Sequence, residues 1–201
     1  MCNDWGKAIC YFMLIAGIYI GLPILILVGV LPFDSKFYIL TLGAAIVYFL
    51  ARVLGISNAE MGITKYNCRK SIMAVLPITI FLALTGVALW ALGFSRINPN
   101  ETWKFYIFYI FISSPVQEFL YRGAIIGIIS NMNFGYYVQL IVSSVLYSFV
   151  HIIYQDLITL CLTLIMGVIW FINYKKSNNI FGVSISHAVL GVVTIIAGII
   201  D

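Results

Sequence analysis

Seven apolar runs, each about as long as a bilayer is thick, dominate the 201-residue sequence and leave little room for a soluble fold. They cover Ala8 to Leu31, Phe37 to Leu54, Ser71 to Gly93, Lys104 to Ile129, Tyr136 to Tyr154, Leu157 to Asn173 and Ile180 to Ile200. Crossing a hydrocarbon core about 30 Å thick takes about 20 helical residues. No run alternates polar with apolar residues as a barrel strand would, so helices are the form that satisfies the backbone in lipid. Hydrophobic residues make up 63% of the chain and charged residues 9%, a balance suited to lipid rather than water as the outer solvent. The expected fold is an all-α, polytopic transmembrane helical bundle of about seven spans. Residues 1–201 are expected to form a single membrane-embedded domain, with the N-terminal run as its first span rather than a cleaved signal.

The net charge of +4 rests on 11 basic and 7 acidic side chains, too sparse for a nucleic-acid surface. Its placement carries more information. With the N-terminus in the cytoplasm, Lys7, Arg52, Lys65, Arg69, Lys70, Lys175 and Lys176 fall inside, against Lys36, Arg96 and Lys104 outside. That asymmetry matches the positive-inside rule and predicts a cytoplasmic N-terminus. Cys2, Cys10, Cys68 and Cys161 form no C-x-x-C pair, and they read as packing residues rather than disulfide partners. The polar stretch Ser57 to Lys70 reads as a solvated connector or as an amphipathic segment lying on the membrane surface. The small-residue pairs Gly17/Gly21 and Gly123/Gly127 read as helix-packing sites.

Ionisable residues inside a span are costly and normally face the bundle interior with a partner. Away from the span ends this chain has four, Glu118, Arg122, His151 and His187, and they include both histidines of the protein. Glu118 and Arg122 stand four apart, on one helix face, where each neutralises the other. Gln117 lies about 100° around the same helix and offers an amide. Pro115 removes a backbone hydrogen bond and predicts a kink where the polar cluster begins. Tyr147 stands one turn before His151, Ser184 lies near His187, and Gly191 lies one turn beyond it. The four charged or titratable residues are expected to line a shared cavity. Three chemistries suit them: a carboxylate and a histidine polarising water for attack on a carbonyl, a zinc site, or proton relay in a transporter. Spacing alone does not choose among the three. Zinc is not favoured, since H-E-x-x-H is absent, and no cofactor is expected.

The order of three motifs is more specific. Gln117-Glu118-Phe119-Leu120-Tyr121-Arg122-Gly123, then Tyr147-Ser148-Phe149-Val150-His151, then His187-Ala188-Val189-Leu190-Gly191 resembles the CAAX protease and bacteriocin-processing family. The likeness covers Trp103 to Ile196, and Ala59 to Ile63 is similar to a connector that precedes the family's core. The resemblance implies an intramembrane endopeptidase of the type II CAAX prenyl endopeptidase kind. Its partners would be the lipid bilayer and a membrane peptide or lipidated protein as substrate. By the same resemblance, the Gln117 position and His151 would activate water, with Glu118 and Arg122 beside them. His187 and the residue at 191 would stabilise the oxyanion.

Two positions depart from the family pattern. Gln117 stands where the family has a glutamate, and an amide cannot take a proton as a general base. Gly191 stands where it has Asn or Asp, so an oxyanion donor is missing. Tyr147 replaces the usual Phe. An inactive relative, an enzyme with Glu118 as base, and a glutamate-to-glutamine exchange at 117 are all consistent with this. A non-catalytic scaffold or immunity-type binding protein is the alternative function, with a transporter third. A uniform helical rise puts Glu118 about 16 Å from one end of its span and His151 about 22 Å from the same side, an apparent mismatch in depth.

Overall fold

Each apolar run forms a helix in the computed structural model, which describes residues 2–200 and contains no strand among them. The helices are α1 Cys2–Leu27, α2 Lys36–Val53, α3 Cys68–Ala91, α4 over residues 103–131, α5 Tyr136–Phe149, α6 Leu157–Ser177 and α7 Ile180–Ile196. A 3₁₀ turn, Val150–Tyr154, prolongs α5. Four of these are long and apolar enough to cross a membrane: Phe33–Val53, Cys68–Ala91, Tyr136–Tyr154 and Leu157–Ser177. Tyr11–Leu27 and Ile180–Ile196 are apolar but shorter. Large apolar side chains such as Tyr38, Leu42, Phe49, Phe81, Leu84 and Phe111 are exposed, as a lipid-facing surface requires. The side chains of Cys2, Lys7 and Cys10 lie outside the described residues. Cys68 and Cys161 are free thiols.

The helix α4 is the centre of the bundle. From Gln117 to Ile129 every residue is buried, so the segment has no lipid face at all. Its pitch changes twice, widening to π geometry at Tyr109–Ser113 and again at Phe119–Ala124. Pro115 accounts for the first of these, because its ring clashes with a carbonyl one turn earlier in a regular α-helix. The kink expected at Pro115 is thus a local widening. Ser114 tightens it, its hydroxyl donating to the Tyr109 carbonyl at 2.9 Å.

Small residues let the other helices close around α4. Along α3 and α7, a β-carbon at Gly182 would collide with the Ser71 backbone, and Gly86 sits against Val193. Hydrogen bonds run along the same seam, from the Gly182 N–H to Ser71 Oγ at 2.9 Å and from Thr79 to Ser186 at 2.7 Å. Between α5 and α6, Gly167 meets Ser144 at about 3 Å. Gly123 and Gly127 do serve packing, but against the connector: a β-carbon at 123 would lie 2.7 Å from the Met61 carbonyl. Gly17 and Gly21 face open space.

The connector is therefore neither solvated throughout nor laid on a surface. Ile56 and Met61 are buried in the core, and Ser57 and Glu60 cap each other through Oγ and Oε2 at 2.6 Å. Asn179 reaches the Thr64 and Tyr66 carbonyls at 2.7 Å, and Asn67 reaches the Ser177 carbonyl. These bonds put the basic segments Lys65 to Lys70 and Lys175 to Lys176 at one end of the bundle. At the other end the N–H groups of Arg96 and Ile97 donate to the Gly198 carbonyl. There the Arg96 guanidinium also pairs with Asp156, the cap of α6, at 2.9 Å.

Candidate active site

Four helices contribute the polar cluster, and the packing just described brings them together. Glu118 and Arg122 come from α4, Tyr147 and His151 from the end of α5, Trp170 from α6 and His187 from α7. Glu118 and Arg122 are wholly buried and paired at 3.1 Å. Arg122 also donates to the Gly167 carbonyl at 3.3 Å, and its guanidinium lies 4.3 Å from the Tyr147 ring centre. The same Glu118 oxygen accepts from His187 Nδ1 at 2.7 Å. His187 is further fixed by stacking on Trp170, ring centres 4.5 Å apart, and by the Tyr147 hydroxyl 3.4 Å from its Nε2. Glu118 thus orients one histidine and one arginine at once.

The five principal residues divide into two groups. Gln117, His151 and His187 line a cavity of about 400 Å³, together with Tyr147 and Gly191. Glu118 and Arg122 sit behind that wall, among residues of the core, which corrects the expectation that they line the cavity themselves. Ser184 is also turned away, its hydroxyl donating to the Ile180 carbonyl at 2.8 Å. The apparent depth mismatch disappears, since Gln117 and His151 share both this cavity and a smaller one of about 80 Å³. A uniform rise ignored the two π segments of α4 and the 3₁₀ end of α5.

Hydrogen bonding assigns the protons. His151 Nδ1 lies 2.9 Å from the Tyr147 carbonyl, an acceptor only, so Nδ1 carries the hydrogen. In the neutral ring Nε2 is then an open lone pair. The Gln117 amide donates to Ser113 Oγ at 3.0 Å, while its Oε1 is buried without a partner among the described residues. Together the two groups present an unprotonated nitrogen and an unused carbonyl oxygen to one cavity, an arrangement that holds a water molecule well. Among the described residues no three of His, Cys, Asp and Glu are grouped as a metal site.

Sequence reasoning missed Tyr109, Ser113 and Trp170. Tyr109, Ser113 and Gln117 fall four residues apart along α4, so a stripe of polar positions at helical spacing was available as the signal. Trp170 had none, because nothing in an apolar run marks one indole as the stacking partner of a distant histidine.

Residues 99–193 match the Rce1-like family, described as type II CAAX prenyl endopeptidase Rce1-like. The match confirms the resemblance carried by the three motifs, over nearly the same stretch, and it is to a family of proteases. No curated protein and no solved structure matches the chain.

Proposed function

We propose that this chain is an intramembrane endopeptidase that hydrolyses a peptide bond in a membrane-associated substrate, with a lipidated protein or peptide as the substrate class. The observation that carries the reading is the pair formed by His151 Nε2 and Gln117 Oε1 on the wall of one cavity, inside the region that matches a protease family. Water bound between them donates one hydrogen bond to each. His151 removes the proton as the water oxygen attacks the substrate carbonyl, and then returns it to the leaving amine. Glu118 and Arg122 act from behind, by holding His187 and the end of α5 in place. The bundle spans the membrane about seven times, with the N-terminus and the basic connector end in the cytoplasm, in keeping with the basic residues. The smaller cavity, walled by Ile18, Leu22, Pro23, Ile39 and Leu40 and continuous in its residues with the larger, suits a hydrocarbon group.

Gln117 orients water but takes no proton, so turnover by the chain as it stands is expected to be slow. Gln117→Glu adds a carboxylate base, worth about 10²- to 10⁴-fold. The test is cleavage of a farnesylated C-a-a-X peptide by the chain, by Gln117→Glu, and by Gln117→Glu with His151→Ala. Gain in the second and loss in the third supports the assignment. Peptide binding without cleavage by all three would instead make the protein a scaffold.

A further inference from the structure

The glycine at 191 looks at first like a missing donor, yet its space is filled. A β-carbon built on Gly191 would fall on the Tyr109 hydroxyl, with Cε1 of the same ring 2.6 Å away. No side chain fits at 191 while Tyr109 is in place. Tyr109 comes from α4, eight residues before Gln117, and it enters the cavity wall beside Gln117, Tyr147, His151 and His187. Its ring stacks on Phe105, centres 5.8 Å apart, and meets the His187 ring edge-on at 6.0 Å. The first π segment begins at Tyr109, and Ser114 holds that turn by its bond to the Tyr109 carbonyl.

We propose that Tyr109 is the oxyanion donor of this site, delivering from α4 the hydrogen bond that the family pattern delivers from the residue at 191 on α7. The exchange is reciprocal: Gly191 makes the room, and the phenol occupies it. A phenolic O–H donates one hydrogen bond and can do so to the negative oxygen that forms when water adds to the substrate carbonyl. Nothing is consumed; the donor strengthens its bond as charge develops and relaxes when the amine departs. This rests on the protease reading, and it replaces the idea of a site crippled at two positions with that of a site altered at one and rebuilt at the other.

Tyr109→Phe keeps the ring and removes only the donor. In the Gln117→Glu background it should lower kcat on the farnesylated peptide by about 10²- to 10³-fold, with KM changed by less than about threefold. Binding of a phosphinic isostere of that peptide, whose tetrahedral anion mimics the intermediate, should weaken by a similar factor, while binding of the uncleaved amide peptide to the chain as it stands is unaffected. The isostere measurement needs no turnover, so it decides the proposal even where no variant cleaves and the protease reading fails. An unchanged ratio of isostere to amide binding in Tyr109→Phe overturns it. As a second check, Tyr109→Ala with Gly191→Asn removes the phenol and returns an amide to α7. It should regain at least tenfold in isostere binding over Tyr109→Ala alone, and no regain in a folded double variant overturns the exchange.

Discussion

Replacing Arg122 with methionine tests whether the buried ion pair is the keystone of the helix cluster. Arg122 and Glu118 are both wholly inaccessible, with one contact at 3.1 Å between them. Methionine fills much of the arginine volume but leaves the Glu118 carboxylate with His187 as its remaining partner, its Oε2 having none among the described residues. Removing one member of a buried pair costs about 3–5 kcal/mol. Loss of the guanidinium from above Tyr147 adds about 0.5–2 kcal/mol. Glu118→Met should cost a similar amount, because it strands Arg122. The double variant Glu118→Met with Arg122→Met removes both charges, and apolar replacement of a whole pair is often close to neutral. What remains is the unpaired His187 Nδ1, at about 1–3 kcal/mol. Equilibrium unfolding in detergent micelles, titrated with dodecyl sulfate and followed by circular dichroism, should therefore show the double variant more stable than either single. Additive losses, or single losses below about 1 kcal/mol, would refute the reasoning and place the stabilising partners of Glu118 elsewhere.

Two further perturbations test the frame around the site. Gly123→Ala drives a methyl to 2.7 Å from the Met61 carbonyl and should cost about 1–3 kcal/mol by overpacking, read as a lower melting temperature, whereas Gly21→Ala, which meets nothing within 4 Å, should not destabilise. The Asp156 carboxyl is held well below the usual carboxylate range, first by the Arg96 guanidinium and then by the Thr159 hydroxyl and the amides it caps. Because the folded value is the lower one, its stabilisation is complete above the unfolded range near pH 4 and is lost as the pH falls below it. Asp156→Ala should thus melt earlier than the parent at pH 6, by an amount that shrinks at pH 3.

Much of the arrangement could be read from sequence because the lipid solvent leaves so few options. The apolar runs located the helices within a turn or two, and the four-residue spacing of Glu118 and Arg122 identified their pairing. What the sequence did not show was which way each residue points. Gln117 and Glu118 are neighbours, yet one faces the cavity and the other the core, and the choice depends on pitch changes in α4 that no hydropathy pattern encodes. The His187 bond to Glu118 spans 69 positions, beyond the reach of any local rule. The substitution at 191 reads as a deletion of function until the ring of Tyr109 is seen in the same volume. Spacing along α4 could have flagged Tyr109, but its contact with α7 required the fold.

The wide turns of α4 make the protein sensitive to a kind of lesion that side-chain exchange does not test. The π segment Phe119–Ala124 lies between Glu118 and the fully enclosed stretch ending at Ile129. Dropping one residue there would return the backbone to ordinary pitch and rotate everything beyond it by about 100° relative to Gln117. Arg122 and the glycines that receive Met61 would then be carried off their partners together. In a library of single-codon deletions, this stretch should behave as a phase marker, intolerant of any shift in reading along the helix even where conservative replacements at the same positions survive.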